Sequence, residues 1–258
     1  SPGSTFKIVT LSSALKDGIT TEDSVYESPA SMDIGNAPVT NVHDKNFGDI
    51  TVERAFEVSS NVVFGQIGVE LGAERLVSGA NAFGFGSETD FELPVKSSLM
   101  PVPSEMTTWE TAWAASGEPV GEHESPAGPQ ATVLEMALVG CAIANDGNIM
   151  DPYLVEGIYN ANGERSFSAN PTRWKQATDA ATASRVLECM KGVVKEGTGT
   201  LASVPGTVIA GKTGTAENEG RASNSWFVGI MNADSSKNVV IALMLEEAGE
   251  ETSAAYRV

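Results

Sequence analysis

Residues 1–18 read SPGSTFKIVTLSSALKDG, and the position of one charge in this stretch sets the reading of everything after it. Ile8, Val9, Leu11, Ala14 and Leu15 recur at helical spacing and predict a helix buried on most sides, with Gly18 as its stop signal. Lys7 lies inside that apolar run. A buried ammonium is costly unless it is paired or loses its proton, so a lysine here needs a chemical reason. Ser4 precedes it by one helical turn, on the same face, where the amine can reach the hydroxyl. A serine is a poor nucleophile until a base takes its proton, and a lysine desolvated on an apolar helix can be that base near neutral pH. The same spacing also arises from a helix cap followed by a surface lysine. The apolar surroundings weigh toward the first reading.

The bulk properties are those of a globular chain. At 258 residues, 41% hydrophobic and 19% charged, it is one large domain or two small ones with material for a sizeable core. The 34 acidic against 16 basic residues give a net charge of −18, which argues against nucleic acid as a partner, because phosphate binding needs a basic footprint. Cys141 and Cys189 both fall in apolar helical patterns; two buried free thiols and one bridge between helices are both open readings. His43 and His123 stand far apart in polar loops and read as solvated, and no metal-ligand spacing occurs. No apolar stretch approaches the ~18 residues of a membrane span and no signal peptide is present. The chain starts abruptly on a helix cap and its last stretch, TSAAYRV (252–258), reads as a helix cut short, so a fragment of a longer protein is expected.

Along the chain, residues 20–49 are polar and turn-rich and predict loops with short hairpins. Helices are expected over 51–58, 61–71 and 73–83, the last two divided at Gly72. Residues 84–130, rich in Gly, Pro, Ser and Glu with Trp109 and Trp113 embedded, read as a long functional loop. A helix over 131–144 follows, then a strand over 152–160, a turn into a second strand near Phe167, and an amphipathic helix over 179–195. Three strand candidates close the chain, TVIAGKTGTAE (207–217), SNSWFVGIM (223–231) and NVVIALMLEE (238–247), joined by short turns and expected to pair as an antiparallel meander.

Two further motifs accompany Ser4 and Lys7. Ser59-Ser60-Asn61 sits between two predicted helices, where a helix cap is the plain reading and a proton-relaying Ser59 with a substrate-holding Asn61 the functional one. Lys212-Thr213-Gly214-Thr215 lies in a predicted strand. Alternation sends Lys212 and Gly214 to one face and Thr213 and Thr215 to the other. Glycine within a strand marks a close approach by another backbone or a ligand, and a bare strand with hydroxyls and one cation suits an extended peptide ending in a carboxylate. A plain hairpin strand with a bulge is the alternative.

Together and in this order, the three motifs resemble the set shared by penicillin-binding proteins and serine β-lactamases. The likeness is to the transpeptidase domain of class B penicillin-binding proteins of the actinobacterial type, and it runs nearly end to end: PGSTFK, FGDITVERAFEVSSNVVFGQIG, QATVLEMALVGCAIANDGNIMDPYLV, GKTGTAE and SWFVGIM all carry it. It implies an α/β (α+β) fold: a central antiparallel sheet flanked by helices, with an adjacent all-helical lobe and the N-terminal strands missing from this chain. On that division residues 20–150 are the helical lobe, and residues 1–19 with 151–258 the sheet lobe, of one transpeptidase domain truncated at both ends. The resemblance makes Ser4 the acylated nucleophile and Lys7 its base. Ser59 relays a proton to the leaving amine, Asn61 holds the donor amide, and Lys212 supports the electrostatics of the cleft. Thr213, Gly214 and Thr215 bind the terminal carboxylate region, and the backbone N–H groups of Ser4 and Thr215 form the oxyanion hole, each donor being worth ~3 kcal/mol in comparable enzymes.

The implied reaction is acyl transfer from the D-Ala-D-Ala end of a peptidoglycan stem peptide to a neighbouring amine. β-Lactams would trap Ser4, and no cofactor or metal is expected. A cell-wall glycosyltransferase of the elongation or division machinery is the implied partner. The implied location is the outer face of the cytoplasmic membrane, through an N-terminal anchor absent from this chain. The sequence departs from the family pattern at GEPVGEHESPAGP (117–129), where a glutamine- and glycine-rich turn is expected. A serine β-lactamase is the rival enzyme, although class D enzymes usually carry valine in place of Asn61 and class A enzymes are more compact between the second and third motifs. A sensing or scaffold domain that acylates without turnover is the other alternative.

Overall fold

The computed structural model describes residues 1–121, 124–218, 220–249 and 253–257. The opening run enters as a 3₁₀ turn, Gly3–Phe6, and continues as α1 (Lys7–Lys16), in which every side chain from Lys7 to Leu15 is buried. The polar stretch that follows forms β1 (Val25–Ser28), β2 (Ser31–Asp33), β3 (Pro38–Thr40) and β4 (Gly48–Thr51), paired antiparallel as β1–β4 and β2–β3. β2–β3 is a short hairpin of the kind expected, whereas β1 and β4 pair across it. His43 lies exposed in a turn between β3 and β4; His123 is outside the described residues. Three helices follow at the expected places: α2 (Val52–Glu57), α3 (Asn61–Leu71) and α4 (Ala73–Phe83).

Residues 84–130 are not the uninterrupted loop expected. They contain α5 (Thr108–Ser116), which starts on a capping box: the Thr107 hydroxyl accepts from Glu110 N, and the Glu110 carboxylate accepts from Thr107 N. The Thr-x-x-Glu signal is present in the sequence, but the helix is short and set among Gly, Pro and Ser. α5 packs on α3 and closes the wall behind the first helix.

Beyond it come α6 (Val133–Ala144), β5 (Asn148–Met150), β6 (Gly157–Tyr159), β7 (Arg165–Ser168), β8 (Arg173–Gln176) and α7 (Ala180–Glu196). The strand expected over 152–160 contracts to β6, paired with β7, and a second ribbon, β5–β8, was not legible. The last third is the expected meander: β9 (Ile209–Asn218), β10 (Arg221–Met231) and β11 (Val239–Leu245), antiparallel in the order β11-β10-β9. In place of the helix expected over 252–258 there is a 3₁₀ turn, Ala254–Arg257; positions 252 and 258 lie outside the described residues.

α1 is apolar all round because it runs through the middle of the molecule, touching α3, α4, α5 and α7. α7 packs on β9, and α6, although it falls within residues 20–150, packs on β10 and β11. Phe6, Phe56, Phe64, Phe83 and Phe85 are among the largest fully buried side chains, each contributing about 1.5–3 kcal/mol of burial. Lys7 and Lys212 are in the same set. Cys141 on α6 and Cys189 on α7 are free thiols, and burial pushes that of Cys189 up to about 12. Among the described residues no helix is long and apolar enough to cross a membrane.

One carboxyl in this core carries a stability cost. Glu135 on α6 is 4% exposed, wedged against Gly84 and the Trp174 ring, and its Oε1 has no hydrogen-bond partner. Burial raises its pKa to about 7, with Lys175 opposing. A raised folded-state pKa means the favourable contribution is present below the unfolded value and is lost as pH rises through 7. Ionised Glu135 therefore costs the fold on the order of 3 kcal/mol. Glu135→Gln should leave the Tm at pH 5 nearly unchanged and raise it by several degrees at pH 8, as read by thermal unfolding at the two pH values.

Candidate active site

The site grows from the 3₁₀ turn that carries Ser4. Gly3 sits in the left-handed region (φ 53°), and a Cβ there would lie 2.4 Å from Thr215 O on β9. A Cβ on Gly214 would lie 2.9 Å from Pro2 O and 3.0 Å from Thr5 N. Bare residues on both sides thus let the turn and the strand touch backbone to backbone, which explains the glycine inside β9. Ser4 is held half-buried beside that strand, and Lys7 Nζ donates to Ser4 Oγ at 2.9 Å.

Lys7 is fully buried, and its Nζ also bonds Ser59 O (2.9 Å), Ser59 Oγ (3.3 Å) and Asn61 Oδ1 (2.7 Å), with the Phe64 ring 5.5 Å away. Among the described residues no carboxylate pairs with it. Burial first, and the neighbouring Lys212 second, hold its pKa well below the usual lysine value, while Glu118 pulls the other way. A neutral amine has a lone pair free to take the Ser4 proton.

The structure assigns the cap reading of Ser59-Ser60-Asn61 to its middle residue. Ser60 is the cap: its Oγ accepts from Val63 N at 3.1 Å. Ser59 is therefore left over, placed between α2 and α3 in the left-handed region (φ 62°), a strained conformation for a residue with a Cβ. Its hydroxyl lies between two amines, 3.3 Å from Lys7 Nζ and 2.9 Å from Lys212 Nζ. Asn61 begins α3, with Oδ1 on Lys7 and Nδ2 donating to Thr40 O at 2.9 Å.

On β9 the alternation holds. Lys212 and Gly214 are buried, Thr213 is half-buried and Thr215 exposed. Lys212 Nζ bonds Ser59 Oγ and Thr213 O (3.1 Å), with the Phe56 ring 5.5 Å away, and burial lowers its pKa to about 7. The Thr213 hydroxyl pairs with the Thr198 hydroxyl at 2.6 Å. Ser4, Lys7, Ser59, Asn61 and Lys212 thus form one continuous hydrogen-bonded chain, beside a strand whose outer face presents two hydroxyls. Sequence reasoning missed Thr198, in the glycine-rich turn after α7, and Glu118 after α5. Glu118 is bonded by Ser1 Oγ at 3.2 Å, and burial raises its carboxyl to about 7. Neither lies in a stretch whose spacing marks chemistry.

Comparison with known proteins identifies the family of the chain. The penicillin binding protein transpeptidase domain family matches residues 1–258. The penicillin-binding protein PbpB of Mycobacterium tuberculosis is 29% identical over 98% of this chain and 38% of its own length. The crystal structure of the D,D-transpeptidase domain of a peptidoglycan glycosyltransferase from Eggerthella lenta is 55% identical, with a TM-score of 0.95 over 100% of this chain and 63% of that one. Penicillin-binding protein A from M. tuberculosis, solved as an imipenem acyl-enzyme complex, is 27% identical, with a TM-score of 0.86 over 99% of this chain and 57% of that one. The chain therefore spans less than two thirds of each of these proteins.

The contact between β9 and the 3₁₀ turn predicts a sharp asymmetry between neighbouring positions. Gly214→Ala must push backbone away from backbone and should cost about 1–3 kcal/mol in thermal unfolding. Thr215→Ala, at the exposed position next to it, should stay within about 0.5 kcal/mol.

Proposed function

Because the chain belongs to the penicillin-binding protein transpeptidase domain family, we propose that it is the catalytic part of a class B D,D-transpeptidase that joins peptidoglycan stem peptides by serine acyl transfer. The observation that carries this reading is the desolvated Lys7 amine, 2.9 Å from Ser4 Oγ and tied through Ser59 to Lys212.

In the proposed mechanism Lys7, as a neutral amine, takes the Ser4 proton as Oγ attacks the penultimate D-Ala carbonyl. The oxyanion is met by the backbone N–H groups of Ser4 and Thr215, while Asn61 holds the donor amide. The proton passes by way of Ser59 to the departing D-Ala nitrogen as the C–N bond breaks, leaving the acyl ester on Ser4. Lys212 keeps the relay electropositive, and Thr213 and Thr215 hold the terminal carboxylate, while Gly214, on the opposite face, lets the strand meet the turn that carries Ser4. An acceptor amine then attacks the ester, its proton returns through the same relay, and Ser4 is regenerated. β-Lactams, which present a strained amide beside a carboxylate, stop at the ester. The acyl-enzyme form of penicillin-binding protein A supports this outcome for the present chain.

Anchoring on the outer face of the cytoplasmic membrane, through a segment preceding this chain, belongs to the same proposal, as does work beside a cell-wall glycosyltransferase of elongation or division. The test is labelling with a fluorescent penicillin followed over hours. A persistent label supports the transpeptidase, rapid loss supports a β-lactamase, and a label with no turnover of a D-Ala-D-Ala thioester supports a sensing domain. Ser4→Ala should abolish labelling; a label that survives this change overturns the assignment of the nucleophile. Lys7→Ala should slow acylation 10²- to 10⁴-fold. Because the free amine is the active form, the unaltered chain should acylate more slowly as pH falls and Lys7 takes up a proton, measured as the rate of label uptake between pH 5 and pH 9.

A further inference from the structure

We propose that Asn41 is the positioning residue of this site, setting the orientation of the Asn61 amide and the placement of Ser59; the inference rests on the transpeptidase reading above and deepens it. Asn41 follows β3 and is 3% exposed. Its amide has two ends with different tasks. Nδ2 reaches away from the site, to Ser28 Oγ (3.2 Å), Pro29 O (2.9 Å) and Lys45 O (3.0 Å), and so anchors on the β1–β2 link and on the turn before β4. Oδ1 reaches toward the site and accepts from Ser60 Oγ (3.0 Å) and Val62 N (3.2 Å), on either side of Asn61. The Ser28 and Ser60 hydroxyls, both fully buried, close the cluster at 2.8 Å. The Asn41 backbone is fixed as well, its N–H donating to Ala30 O at 2.9 Å.

Two consequences follow for the catalytic groups. An asparagine amide can turn over and exchange its donor for its acceptor, and only one orientation offers oxygen to Lys7. Here the choice is made by the Thr40 carbonyl, which takes Asn61 Nδ2 at 2.9 Å and so turns Oδ1 to Lys7 Nζ at 2.7 Å. Thr40 O belongs to the peptide unit that leads into Asn41, so the side chain that grips the start of α3 also fixes the carbonyl that orients Asn61. Ser59 immediately precedes the gripped residue Ser60 and holds a backbone conformation that costs on its own about 1–3 kcal/mol. Such a conformation persists where the surroundings over-determine it. A buried cluster with every member satisfied is that kind of surrounding, whereas one missing partner would leave several polar groups orphaned in low dielectric.

The test is a mutant cycle on acylation by fluorescent penicillin. Asn41→Ala should lower the limiting acylation rate constant ten- to a hundredfold in an otherwise unaltered chain, but less than threefold in a background where Asn61→Ala and Ser59→Ala, which remove the two groups it positions, are already present. A residue that only stabilises the fold would lower both backgrounds alike. Ser28→Ala removes one of the three anchors, leaves Asn41 in place, and should give a smaller loss with the same dependence on background; it reports if Asn41→Ala does not fold. Equal losses in both backgrounds, or no loss, overturn the assignment while leaving the transpeptidase reading standing. Absence of labelling in the unaltered chain overturns that reading and the assignment with it.

Discussion

Two lysines without exposed surface share one serine hydroxyl, and the rest of the site is arranged around that fact. Taking an ammonium out of water costs several kcal/mol, and placing a second cation within two hydrogen bonds of it adds repulsion. A carboxylate partner would relieve the cost but would also lock both protons in place. The structure relieves it otherwise: carbonyl and hydroxyl oxygens of Ser59, Asn61, Ser4 and Thr213 surround the two amines, and burial lowers both lysines toward the neutral form. Polar oxygens satisfy an amine in either protonation state, so the proton can leave without leaving a group unpaired. The proposed chemistry depends on that freedom.

The scaffold's task is to bring three separate stretches to one spot with little tolerance for error. α1 supplies Ser4 and Lys7 from a helix locked on all sides. β9 comes within backbone contact because Gly3 and Gly214 have no Cβ. The α2–α3 junction supplies Ser59 and Asn61, braced from behind by α5, whose Ser116 hydroxyl donates to Asn61 O at 3.3 Å. Gly117 presses on Gly3 from the same side; a Cβ there would lie 1.9 Å from Gly3 O. The small residues of PGS, SG and KTG therefore mark where three backbones meet.

Much of this was legible because its signals are local. The apolar period around Lys7, the alternation through Lys212–Thr215 and the turn chemistry between the last three strands each need only a few neighbouring residues. α2, α3, α4, α6, α7 and the meander were read from such patterns. α5 escaped because a nine-residue helix among glycines and prolines carries little period, although its capping box was in view. The β5–β8 ribbon escaped because its strands are three and four residues long and are paired across intervening chain. Asn41 and Thr198 escaped for a different reason. Each is a polar residue in a polar, turn-rich stretch, and its role exists only through partners distant in the chain: Ser60 and Val62 for one, Thr213 for the other. Spacing cannot show a network closed by tertiary contacts.

Glu118 shows why burial, more than pairing, governs this site. Among the described residues it is the anion that acts to keep a proton on Lys7, and burial raises its own carboxyl to about 7. An ionised carboxylate beside an ammonium is the stable arrangement in water. In a low-dielectric interior, and without direct contact between the two, the neutral acid and the neutral amine are favoured instead, since each then avoids the cost of an uncompensated charge. The same burial that lowers the Lys7 pKa thus also weakens, among the described residues, the neighbour that opposes that shift. Lys7 has no exposed surface and Glu118 is half-buried, so desolvation acts on both groups and more strongly on the amine.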